Sequence, residues 1–110
     1  MMSDFERQWN NISKKVYMNA VKHGFWEEEP NDAERIALMH AELSEALEAL
    51  RDGNPSSNKI ISYSSLEEEL ADVVIRIMDY TFGLDLDIAG AILAKIEYNK
   101  SREFMHGKSF

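Results

Sequence analysis

The chain has 110 residues, enough for one domain whose small core would gain from oligomerisation. Its 12 basic and 20 acidic residues leave a formal charge of −8, which excludes a broad cationic surface for a nucleic-acid polymer. No cysteine is present, so a disulfide framework, a thiolate metal site and a cysteine nucleophile are excluded as well.

Apolar residues make up 45% and charged residues 29%, the balance of a folded globular chain. The opening "MMSDFERQW" has no apolar h-region, and no run is long enough to span a bilayer. The expectation is a cytoplasmic protein with no membrane partner. Charge is uneven: residues 95–110 hold Lys95, Lys100, Arg102 and Lys108 against Glu97 and Glu103, a local +2, so the first 94 residues carry −10. An acidic body with a basic tail can hold a small polyanion only if cations bridge the acidic part.

Ser3-x-x-Glu6 is a capping-box pattern, in which each side chain satisfies a free backbone N–H of the other. Phe5, Trp9, Ile12 and Val16 follow at helical spacing and Gly24 offers a stop, so the first helix is predicted over about residues 4–22. Asn31-x-x-Glu34 opens a second helix that runs to "DGNP". Residues 53–64, "GNPSSNKIISYS", are polar and then apolar, which predicts a loop packed on something. Ser64-x-x-Glu67 opens a third helix ending near Gly83, and Asp85 is expected to cap a fourth whose inward stripe begins at Ile88 and Ile92. Nothing alternates with period two beside a turn signal, and there is no repeat or linker. The prediction is a single all-α domain over residues 1–110, of the four-helix-bundle type.

In the second helix, at about 100° per residue from Ile36, the residues Met39, Leu43, Ala46, Leu47 and Leu50 cluster around one direction, the expected core face. His40, Ser44, Glu48 and Arg51 occupy the solvated sector. Glu42 and Glu45 fall near 240° and 180°, in a second, mostly apolar face with Leu38 and Ala49. Buried carboxylates are costly unless paired or bound to a metal, so these two are expected to point into something while Glu48 is decoration. In the third helix, Glu69 and Asp72 lie one turn apart, opposite an apolar arc of Leu66, Leu70, Val73, Val74 and Ile77. Oxygen-only ligands favour a hard cation, Mg²⁺ or Mn²⁺. Taken alone, each pair also fits a solvated helix face.

Taken together, Glu42-x-x-Glu45, 23 intervening residues and Glu69-x-x-Asp72, within "ALMHAELSEALEALRDGN" and "LEEELADVVIRIMDY", resemble the metal signature of the MazG-like all-α nucleoside triphosphate pyrophosphohydrolases. The tail "IEYNKSREFMHGKSF" resembles that family's phosphate-side elements, through Asn99, Arg102 and the His106-Gly107-Lys108 run. The resemblance spans roughly residues 30–110, and the first helix fits more loosely. It implies Mg²⁺-dependent hydrolysis of (deoxy)nucleoside triphosphates to the monophosphate and pyrophosphate, a house-cleaning activity on the nucleotide pool. The metal would sit on Glu42, Glu45, Glu69 and Asp72, and Glu45 is the choice for the base that activates water. Lys95, Asn99, Arg102 and Lys108 would contact phosphate, and family members assemble as homodimers or homotetramers.

The tail carries an argument of its own. Counted from Ile88, the stripe Ile92, Lys95, Asn99 and Arg102 turns from apolar to cationic partway along, as an inward face gripping phosphate would, or as side chains reaching into water would. Trp26, just before the second helix, is the preferred candidate to stack on a base; Trp9, Phe25 and Tyr63 fit a core better. The rival reading is a non-catalytic helical module whose acidic faces bind a basic partner.

Overall fold

The helices begin where a side-chain oxygen can hold backbone N–H groups that have no partner within the helix. Ser3 Oγ accepts from the Glu6 N–H at 3.2 Å, and Glu6 accepts from the Ser3 N–H at 3.0 Å. Ser64 and Glu67 repeat this box at 3.1 and 2.9 Å. Asn31 accepts from Glu34 N–H at 3.0 Å and Asp87 from Gly90 N–H at 2.9 Å. These caps open α1 (Asp4–Lys22), α2 (Asp32–Arg51), α3 (Ser65–Gly83) and α4 (Ile88–Lys100), and a short 3₁₀ turn follows at Phe104–Gly107. The computed structural model describes residues 1–29 and 31–109. Among them the fold is all-α, with one isolated bridge between Ser56 and Ser64 and no strand. No described helix is long and apolar enough to cross a membrane.

Three helices stop on a left-handed residue: Gly24, Gly53 and Asp85, with φ of 87°, 83° and 57°. In each case the next N–H reaches back five residues, from Phe25 to Ala20, Asn54 to Ala49 and Leu86 to Thr81. Asp85, expected to cap α4, therefore closes α3 instead, because aspartate tolerates the left-handed region, and Asp87 caps α4. Gly83 is the last residue of α3, where the sequence places the end of that helix. A Cβ there would lie 2.2 Å from the Trp26 ring, so glycine is what lets the indole pack against α3.

Helix α3 packs against both α1 and α2, and α4 packs on α1. The result is open: the radius of gyration is 16.4 Å, against about 13 Å for a compact domain of this length. The buried apolar residues are Ala46, Ala49, Met78 and Ala89, most of them small. The expected core face of α2 is buried only along one edge, at Ala46 and, by half, at Met39. Ile36, Leu43, Leu47 and Leu50 are 43% to 53% exposed, whereas Ala46 and Ala49 are buried with Leu38 and Glu42 half-buried beside them. Helix α2 is thus turned by about 80° from the direction its periodicity suggests. Alanines allow its backbone to approach α3 closely, which leaves the bulky side chains outside. On α3, Leu70, Val74 and Ile75 are likewise exposed.

The 53–64 loop is tied down by Ser57, which is 2% exposed. Its Oγ donates to Glu68 on the first turn of α3 and accepts the N–H groups of Lys59 and Ile60, both at 3.1 Å. Its own N–H donates to the Tyr63 carbonyl at 2.8 Å. The loop packs as its sequence suggests, but through a serine, while Ile61 and Tyr63 face outward.

Candidate metal centre

Glu69 and Asp72 share one face of α3 because three residues make nearly one turn. The rotation that buries Ala46 and Ala49 aims Glu42 of α2 at the same spot. One carboxylate oxygen from each of the three lies within 4.8 Å of the others, and all three residues are half-buried. Crowding and burial disfavour the charged forms. Glu69 is held above the ordinary carboxylate value by burial first, then by a hydrogen bond shared with Glu42 and by repulsion from Asp72, Glu42 and Glu68. Asp72 is raised by burial and by the charges of Glu42 and Glu68, which Lys59 and Arg76 partly offset. A cation relieves every one of these penalties, and an oxygen-only donor set fits a hard divalent ion.

Three of the four carboxylates expected from the sequence therefore converge. Glu45 is exposed and stands outside the group. Glu48 is exposed and paired with Arg51 at 3.0 Å, as a solvated residue should be. Two further charged residues at the centre escaped the sequence reading. Glu68 is half-buried, bonded to Ser57 and 3.7 Å from Lys59 Nζ. Arg76 Nε donates to Glu42 Oε1 at 2.9 Å. Arg76 lies four residues beyond Asp72 on one helix face, a spacing that was readable; nothing in the sequence signals the burial of Ser57.

Glu42, Asp72 and Arg76 line a cleft of about 610 Å³ between α1, α2 and α3, within the size range of small-molecule sites. Lys15 and Asn19 of α1, Phe25, Arg35 and Asp79 also border it. Asp79 lies seven residues beyond Asp72, about 10 Å along α3. Burial raises its pKa, while a hydrogen bond from Trp26 and the charges of Arg35 and Arg76 lower it. Trp26 Nε1 donates to Asp79 Oδ1 at 2.8 Å, the Arg35 guanidinium sits 4.7 Å from its ring centre, and Tyr17 meets it edge-on at 5.2 Å. The indole is thus braced on several sides, and the exposed aromatic ring bordering the cleft is Phe25, at 63%.

The tail residues lie elsewhere. Lys95 and Arg102 flank the Tyr98 ring at 4.7 and 5.5 Å, Lys108 is exposed, and none of them borders the cleft. Asn99 Oδ1 is buried with no hydrogen-bond partner among the described residues. Within one chain these side chains are not brought to the carboxylates. No protein-family model, curated protein or solved structure matches this chain. The resemblance to MazG-like enzymes accordingly rests on the motifs of residues 42–45 and 69–72 and on the tail.

Proposed function

We propose that the protein is a divalent-cation-dependent nucleoside triphosphate pyrophosphohydrolase of the MazG-like kind, acting on the cytoplasmic nucleotide pool. The observation that carries the reading is the meeting of Glu42 with Glu69 and Asp72, from separate motifs on separate helices, at the wall of a ligand-sized cleft. Glu42, Glu69 and Asp72 would hold Mg²⁺ or Mn²⁺, which when bound supplies Lewis acidity toward phosphoryl oxygens. Glu45 lies outside the cluster and does not line the cleft within one chain, so its role of taking the proton from the water that attacks the α-phosphorus rests on the resemblance alone. Phe25 borders the cleft and is the ring placed to meet a base, whereas Trp26, the residue expected to stack, is braced by Asp79, Arg35 and Tyr17 and does not line it. Lys95, Asn99, Arg102 and Lys108 serve the pyrophosphate once assembly or ligand closure brings α4 to the cleft.

Assembly belongs to the same proposal. The accessible surface is 8478 Å², about 2,200 Å² more than a compact monomer of this mass exposes. Two copies that each covered this excess would bury an area in the range of obligate dimers. The faces available are the outer stripe of α2 and its neighbours on α3, so a homodimer or homotetramer is the expected form.

The test is a panel of canonical and damaged ribo- and deoxyribonucleoside triphosphates with Mg²⁺, Mn²⁺ or chelator, scored by phosphorus NMR. Metal-dependent appearance of monophosphate and pyrophosphate from at least one substrate is the expected result. Silence across the panel would overturn the reading in favour of an acidic helical module that binds a basic partner.

A further inference from the structure

The cleft holds three cations, Lys15, Arg35 and Arg76, and they are not equivalent. Arg35 is committed: its Nη2 donates to the Phe25 carbonyl at 2.7 Å, and its side chain is only 17% exposed beside Asp79. Lys15 is an exposed residue of α1 that makes no ion pair among the described residues. Arg76 differs from both. Its Nε donates to Glu42 Oε1 at 2.9 Å, which fixes the plane of the guanidinium, while its two terminal nitrogens donate to nothing among the described residues. The side chain remains 38% exposed, although Glu42 is 16% exposed.

A guanidinium is a fork with more than one donor edge. Occupying the Nε position with a carboxylate leaves the terminal pair free for a second anion, and phosphate matches that pair well. We propose that Arg76 is a phosphate-binding residue of the cleft, oriented by Glu42, so that one side chain links a metal-holding carboxylate to the triphosphate. This rests on the pyrophosphohydrolase reading given above. It supplies, from α3, a cationic contact at the cleft that the α4 residues do not provide within one chain. A lysine cannot replace it, because a single ammonium group lacks the second, rigidly placed donor edge.

The experiment uses the full-length protein with Arg76→Gln and Arg76→Lys, and inorganic triphosphate as the probe, so that base contacts play no part. Calorimetry measures Mn²⁺ binding alone and then triphosphate binding to the Mn²⁺-saturated protein. Both variants should bind triphosphate at least about tenfold more weakly than the wild type, as expected for the loss of a charge-assisted pair. Mn²⁺ binding alone should stay equal to that of the wild type or tighten, because no ligand is lost and Arg76→Gln removes a neighbouring positive charge. If Arg76→Gln fails to fold by circular dichroism, Arg76→Lys carries the test. Triphosphate binding restored by lysine, or weakened Mn²⁺ binding in the folded variants, would show that Arg76 only neutralises or orients Glu42 and would overturn the proposal. If the wild type hydrolyses a nucleotide and the variants bind triphosphate normally, this inference alone fails. A wild type that binds neither triphosphate nor nucleotide overturns both.

Discussion

Asp72→Asn removes one of three crowded charges while preserving the shape of the side chain. Two unit charges 4.8 Å apart repel by about 1 kcal/mol at the dielectric constant of water and by about 3.5 kcal/mol at an effective value of 20. Asp72 is half-buried between these limits and faces both Glu42 and Glu69, with Arg76 and Lys59 offsetting part of the repulsion. In chelator the variant should therefore be more stable than the wild type by about 1 to 3 kcal/mol, which raises Tm by roughly 4 to 12 °C for a domain of this size. Excess Mg²⁺ should reverse the order. At a hundredfold excess over Kd a bound ion contributes about 2.7 kcal/mol to the wild type, and the variant, lacking a ligand, should gain far less. Thermal unfolding followed by circular dichroism, with chelator and with Mg²⁺, reads both effects. A variant that is less stable in chelator, or that responds to Mg²⁺ as the wild type does, would refute the idea that these carboxylates share an ion.

The same crowding sets a pH dependence. Glu69 and Asp72 hold their protons more tightly in the folded chain than at their ordinary values of 4.5 and 3.8. Their contribution to stability is complete below those values and is lost as pH rises through the raised ones, so in chelator the stability of the wild type relative to Asp72→Asn should fall as pH increases above about 4; a gap that stays constant would contradict this. Glu45→Gln should lower kcat at least about 10²-fold with Mn²⁺ affinity unchanged, whereas Glu48→Gln, the same residue type one turn further on, should stay within about twofold. Equal effects in steady-state assays would remove Glu45 from its role as base. Leu43→Lys combined with Leu47→Lys should convert the wild-type assembly to a species near 12.7 kDa by light scattering, and a wild type already at that mass would sink the oligomer. Gly83→Ala should cost about 1 to 3 kcal/mol and shift tryptophan fluorescence, since its Cβ would meet the Trp26 ring at 2.2 Å.

Local features were legible in the sequence because their causes are local. The Ser3 and Ser64 boxes, the Asn31 cap and the Gly24 and Gly53 stops each involve partners within five residues. Asp85 was misplaced because an aspartate two residues before the true cap serves equally well as a left-handed exit, and only the backbone distinguishes the two uses. The facing of α2 depends on the partner helix: periodicity registers the wide stripe of Ile36, Leu43, Leu47 and Leu50, but close approach to α3 selects the alanines. Glu42 with Glu69 and Asp72 was readable as two short motifs, yet Glu45 sits too far round α2 from the buried Ala46 and Ala49 direction to join them. The spacing of Arg76 from Asp72 was readable, but its bond to Glu42 34 residues away and that of Glu68 to Ser57 11 residues away depend on how the helices and the loop pack.

The Ser57 bond to Tyr63 closes the loop into a small ring whose base is fastened to α3 and whose rim, residues 58–62, projects outward. The anchoring point lies at the root of the ring rather than at its tip. A fluorophore or an affinity tag placed at Ile61 or Ser62, past Lys59 and Ile60 whose N–H groups hold Ser57, would therefore disturb the rim and leave Glu68, Glu69 and Asp72 where they are. This loop is accordingly an attachment port near the candidate centre, from which ion binding can be watched without touching a residue that holds the ion.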